Sequence, residues 1–101
     1  MIPSISCEEY RHLRDTATDH ILIDVREQDE WDAGHIEGAI HLPLGQVAEK
    51  IAEVAPNKNA TIIMHCARGG RSAKACNILD GLDYRNVKNL EGGYEAWCLT
   101  A

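Results

Sequence analysis

Cys66 is preceded by the apolar run Thr61-Ile62-Ile63-Met64-His65 and followed by Ala67-Arg68-Gly69-Gly70-Arg71-Ser72, so a thiol stands where a buried strand is expected to hand over to a helix. Two glycines let the backbone curl tightly around the sulfur, because neither carries a Cβ that resists positive φ. Arg68 and Arg71 place cationic donors a few residues away. If the N–H groups of this curl and of the helix start point inward, they favour the charged form of the thiol and lower its pKa. The chemistry to expect is an anion-binding loop around a nucleophilic thiolate. Solvated side chains at a helix start would explain the arginines, but a structural cysteine needs neither the arginines nor the paired glycines.

The positive spot is local. The chain of 101 residues carries a formal net charge of −6, whereas the stretch from Cys66 to Lys74 contains Arg68, Arg71 and Lys74 and no acidic residue. A net acidic chain argues against a nucleic-acid partner, since phosphate-backbone binding relies on clustered Lys and Arg. With 45% hydrophobic and 26% charged residues the composition is that of a soluble globular protein, and the length suits a single domain over 1–101. No window approaches the roughly 20 apolar residues of a membrane helix, so no membrane partner is expected. The start, Met1-Ile2-Pro3-Ser4, lacks the basic and apolar regions of a secretory signal, and a cytoplasmic location is expected.

Four cysteines raise the question of staples or metal. Cys7, Cys66, Cys76 and Cys98 form no C-x-x-C pair, so their spacing indicates neither a disulfide framework nor a zinc site, and no cofactor is called for. Cys76 shares a helical face with Ser72, Ala75 and Leu79, the position of a small core residue rather than of a resolving thiol. Cys7 and Cys98 carry no identifiable local chemistry.

Around the loop, the pattern alternates strands with helices. Ser6 with Glu9 is a capping box that predicts a helix through Asp15 with Tyr10 and Leu13 on one face. The run over 20–26 is nearly all apolar, as in a parallel strand covered on both faces, and predicts an interior strand. Residues 29–33 predict a helical turn ended by Gly34, after which 36–42 re-enters the sheet and stops at Pro43. Leu44, Val47, Ala48, Ile51 and Val54 recur at helical spacing up to Pro56, and Asn57-Lys58-Asn59 reads as a turn. A strand over 61–65, a helix over 71–79 stopped at Gly81, a short strand over 86–89 and a helix over 94–99 complete the chain. This order implies an α/β sheet wrapped by helices. In such sheets ligands gather at the carboxyl ends of strands, where both Cys66 and Arg26 lie. Asp24 and Arg26 read as ion-pair or hydrogen-bond partners that brace the same pocket if the two strands are neighbours. His65 reads as a packed strand histidine, with tuning of Cys66 left open. Trp31 and Trp97 read as core anchors, and His35 and His41 as loop and sheet-edge supports.

Four motifs in this order resemble the rhodanese-like sulfurtransferases over nearly the whole chain. Leu22-Ile23-Asp24-Val25-Arg26 with Glu30-Trp31, and Gly34-His35-Ile36-Glu37-Gly38-Ala39-Ile40-His41-Leu42-Pro43, are similar to that family's upstream signatures. Cys66-Ala67-Arg68-Gly69-Gly70-Arg71-Ser72 resembles its C-x-x-G-x-R-S active loop, and Glu91-Gly92-Gly93-Tyr94-Glu95-Ala96-Trp97 its C-terminal signature. Each pattern is weak alone, but all four together, with the cysteine after a strand, are specific.

The resemblance implies an α/β fold with a small parallel sheet of about four to five strands flanked by helices on both sides. It implies that Cys66 takes a sulfur from a donor such as thiosulfate or a persulfide. By the same resemblance Cys66 would pass that sulfur to cyanide, a thiol, or a thioredoxin-like or other acceptor protein. Ala67, Arg68, Gly69, Gly70, Arg71 and Ser72 would then bind the donor, with Arg68 and Arg71 offsetting the repulsion between two anions. The loop is expected to be exposed. Related phosphatases place five residues between cysteine and arginine to enclose a phosphate. Here Cys66 and Arg71 bracket only Ala67, Arg68, Gly69 and Gly70, a ring better suited to one sulfur atom. An enzyme, a protein-to-protein sulfur carrier and a non-enzymatic binding module all remain open. The retained cysteine counts against the last.

Overall fold

The computed structural model describes residues 3–100, so the expectation drawn from Met1 and Ile2 lies outside the described residues. Five strands form one sheet: β1 (Ser4–Ile5), β2 (Ile21–Asp24), β3 (Ile40–His41), β4 (Ile62–His65) and β5 (Val87–Leu90). Their order is β1-β5-β4-β2-β3, and every neighbouring pair runs parallel. The helices are α1 (Cys7–Asp15), α2 (Gln28–Ala33), α3 (Val47–Val54), α4 (Gly70–Gly81) and α5 (Gly93–Leu99), with a 3₁₀ turn at Leu44–Gln46 leading into α3.

Alternation along the strands assigns side chains to two faces. Ile23, Val25, Ile62, Met64 and Cys66 pack with Val47 and Ile51 of α3 and with Ala75, Cys76 and Leu79 of α4. Leu22, Ile63 and Leu90 pack on the other face with Tyr10 of α1, against which Tyr94, Ala96 and Trp97 of α5 lie. Each fully buried Ile or Leu contributes roughly 1.5–3 kcal/mol, so a core on both faces is what keeps the sheet in register. The predicted capping box is present: the Glu9 N–H donates to Ser6 Oγ at 3.1 Å, and the Ser6 N–H to Glu9 Oε1 at 3.0 Å.

Three elements depart from the sequence expectation. A two-residue strand, β1, pairs Ser4 and Ile5 with Asn89 and Leu90, and two residues are too few to carry a period. Of the stretch 36–42, only Ile40 and His41 join the sheet, while Ile36 turns inward as a buried plug of the second core. Trp31 is half-buried and lies outside both cores rather than anchoring one, stacked on His35 at 3.6 Å and on His41 at 4.8 Å. Its helix, α2, buries none of its residues, being too short to present a face to the sheet and still reach the site with Glu30. Trp97 is half-buried beneath the Arg11 guanidinium, which sits 3.9 Å from its ring centre.

Register brings the two strand ends together. Asp24 pairs with His65, so the turn after β2 and the loop after β4 leave the sheet side by side.

Candidate functional site

β4 delivers Cys66 to the carboxyl edge of the sheet, and the chain then curls through Gly69, at φ +116, into α4. The curl turns backbone donors onto the sulfur. The Gly69 N–H donates to Cys66 Sγ at 3.0 Å, and the N–H groups of Arg68 and Ser72 also point at it. Burial pushes the thiol up. Hydrogen bonds from the Ser72 hydroxyl and from the backbone of Ser72, Gly69 and Arg68 pull it down by more, and the net shift is downward.

The Ser72 hydroxyl has one proton and three acceptors: Asn89 Oδ1, the nearest, Gly69 O at 3.2 Å and Cys66 Sγ at 3.5 Å. One proton serves one acceptor well at a time, so the backbone donors hold the sulfur steadily and Ser72 joins them by turning from Asn89. Cys66 itself is only 1% exposed, at the floor of the loop, whereas Arg68 and Gly70 above it are exposed. An exposed thiol is therefore not what the fold provides. Its sulfur lies on the α4 side of the sheet, and the amides that polarise it come from a ring too tight to stand clear of the core.

Sequence reasoning missed the groups that hold this ring. Asn89 on β5 donates from Nδ2 to Gly69 O at 3.2 Å while accepting from Ser72. The start of α5 clamps the other side, where the Tyr94 N–H donates to Cys66 O at 2.7 Å and the Glu95 N–H to Ala67 O at 3.0 Å. The glycine pair before Tyr94 was the available signal, since Gly93 at φ +59 lies against the Cys66 and Ala67 backbone.

Asp24 ends β2, and Arg26 lies two residues beyond it. The Arg26 guanidinium donates from Nη2 to Asp24 Oδ2 at 2.8 Å and to Gly34 O at 2.7 Å, with the Tyr94 ring 4.3 Å from it. Both charges are buried, and each is paired. His65 is fully buried, with Nδ1 3.4 Å from Cys66 O and Nε2 3.7 Å from Asp24 Oδ2, too far for a hydrogen bond. Burial lowers its pKa, outweighing the attraction of Asp24, and so favours the neutral ring.

The loop cations are engaged. Arg71 grips Glu30 with two parallel bonds, Nη1 to Oε1 at 2.6 Å and Nη2 to Oε2 at 2.8 Å. Arg68 points outward and donates to Glu95 at 3.0 Å, so it reaches the sulfur through its backbone N–H and not its side chain. All four cysteines are free. Cys76 is buried beside the site, and loss of solvent pushes its thiol up to about 12.

The family model described as the Rhodanese-like domain matches residues 6–100. The chain belongs to the rhodanese-like family. Among curated relatives, the thiosulfate sulfurtransferase PspE of Escherichia coli is 40% identical over 69% of this chain and 67% of its own. The putative sulfur carrier protein YrkF of Bacillus subtilis is 33% identical over 95% of this chain, which spans about half, 51%, of that relative. Among solved structures, the human single-domain sulfurtransferase TSTD1 superposes with a TM-score of 0.87 at 25% identity, covering 100% of this chain and 99% of its own. The five-strand parallel sheet between helices is thus the rhodanese fold, as the resemblance implied.

Proposed function

We propose that the protein transfers a sulfane sulfur by way of a persulfide on Cys66, with the chain acting as a single unit. Support comes first from the ring of N–H groups aimed at a buried sulfur whose pKa they depress. Such a cradle stabilises negative charge on the thiolate, and on a second sulfur added to it. In the first step the Cys66 thiolate attacks the outer sulfur of thiosulfate. A new S–S bond forms, the donor S–S bond breaks, and sulfite leaves with the electron pair. In the second step cyanide or a thiolate attacks the added sulfur, which departs as thiocyanate or a persulfide and returns the thiolate. Splitting the transfer in two is ordinary covalent catalysis.

Ala67, Gly69, Gly70 and Ser72 shape the seat of the added sulfur. Arg68 holds the loop against α5, Arg71 answers charge at its mouth, and Asp24 with Arg26 braces the strand end beneath. The similarity to a putative sulfur carrier favours a second reading, in which the acceptor is a protein thiol and thiosulfate a substitute donor. A non-enzymatic module has less support, since the nucleophile is retained. Four unpaired thiols suit a cytoplasmic setting, and the loop needs no cofactor for either reaction.

The deciding experiment is mass spectrometry after treatment with thiosulfate. A gain of one sulfur atom on Cys66, removed by cyanide or dithiothreitol, is expected. No gain with thiosulfate or with a small-molecule persulfide would end the proposal, and steady-state turnover would then separate enzyme from carrier.

A further inference from the structure

The two cations that the sequence offers to an anionic donor are both occupied by carboxylates of this same chain. Arg71 is held by Glu30 at 2.6 and 2.8 Å, and Arg68 by Glu95 at 3.0 Å. These four charges sum to zero, so the two loop guanidinium groups add no net positive charge to meet an oxyanion. Glu30 is itself fixed: its Oε1 accepts the Glu27 N–H at 3.0 Å in the capping box of α2. Glu27, Asp29 and Asp32 nearby are exposed and add to the negative charge of this short helix and its cap.

We propose that Glu30 is a specificity-determining residue, occupying the guanidinium seat that an oxyanion donor needs and biasing Cys66 toward persulfide donors that carry no other charge. This rests on the persulfide reading of Cys66. The two donors differ in what they leave behind. From thiosulfate, the departing sulfite carries away the electron pair of the broken S–S bond as a dianion, and it leaves best with a guanidinium to receive it. From a persulfide R–S–SH, the Cys66 thiolate attacks the outer sulfur and R–S⁻ departs with the pair. The proton stays on the transferred sulfur, and no oxyanion seat is required. Arg71 stands in the first turn of α4, five residues after Cys66, so the guanidinium that Glu30 holds belongs to the same loop and helix start that carry the reacting sulfur.

Glu30→Gln tests this, because it keeps the side chain's length and its acceptor for the Glu27 N–H while removing the charge. The readouts are the rate of Cys66 persulfide formation with thiosulfate and with 2-hydroxyethyl persulfide, and the affinity of unloaded protein for sulfite. For E30Q, kcat/KM with thiosulfate is expected to rise about tenfold, mostly through KM, and sulfite affinity to rise similarly. Loading from 2-hydroxyethyl persulfide stays close to wild type. Unchanged thiosulfate kinetics and sulfite affinity, with Cys66 still loading, would overturn the role of Glu30 alone. An equal change for both donors would do the same, marking a loosened loop rather than a freed seat. If wild-type Cys66 gains sulfur from neither donor, the persulfide reading fails and takes this proposal with it.

Discussion

Gly93 lies so close to Cys66 that a Cβ built on it would stand 2.3 Å from the Cys66 carbonyl oxygen. Only a bare α-carbon lets α5 bring its first N–H groups onto the loop carbonyls, and φ of +59 adds a penalty for any other L-residue. Gly93→Ala is therefore expected to destabilise the fold by about 2–4 kcal/mol. It should also slow sulfur loading even where the protein remains folded. Urea unfolding alongside mass-detected loading checks both, and wild-type stability would mean that α5 is not clamped on the loop.

Cys66→Ser is expected to abolish loading with a stability change of about 1 kcal/mol or less, because the Ser hydroxyl inherits the donors already aimed at the sulfur. Thiocyanate release retained in this variant would remove Cys66 from the reaction.

The depressed pKa of Cys66 fixes a direction for pH. Loading follows the thiolate fraction, so its rate is expected to fall as pH drops through a value below that of an ordinary cysteine. Ultraviolet titration of the thiolate, read as the difference from Cys66→Ser, should give the same midpoint. A midpoint at or above the ordinary thiol value contradicts the cradle.

Glu30 gives a separate, thermodynamic test. Its pairing with Arg71, a hydrogen bond that outweighs burial, holds the carboxyl at about 2, below its ordinary 4.5. A group with a depressed folded pKa contributes stability that is full above the unfolded value and lost as pH falls toward the folded one. Wild type should thus lead Glu30→Gln by about 1 kcal/mol at neutral pH, the partly exposed pair being screened. That lead should shrink between about pH 4.5 and 2. A constant difference down to pH 2 would show that the pair does not titrate with folding.

Asp24→Ala strips the partner from a guanidinium buried at 4% exposure, a loss expected to cost about 3–5 kcal/mol. Denaturant midpoints measure it directly, and a cost below about 1 kcal/mol would mean that Arg26 relaxes to water.

The sequence by itself determined most of the elements and where the candidate thiol stands among them. Apolar runs ending at Arg26 and at Cys66, and helical spacing from Leu44 to Val54, follow from local periodicity. The thiol and its glycines are contiguous, so the loop was legible too. The Asp24 and Arg26 pair was legible because its members are two residues apart at a strand end.

What only the tertiary structure decided are contacts between residues far apart in sequence. Strand order brings Asn89 to Ser72 and Gly69, and the docking of α5 puts Tyr94 and Gly93 on Cys66. The position of α2 hands Arg71 to Glu30 and leaves Trp31 outside both cores. Composition counted Arg68 and Arg71 as free positive charge, but a charge is available only if no partner folds against it. Burial of the Cys66 sulfur has the same origin: a residue's type and neighbours set what its atoms can do, while packing of the sheet and helices sets which atoms they meet.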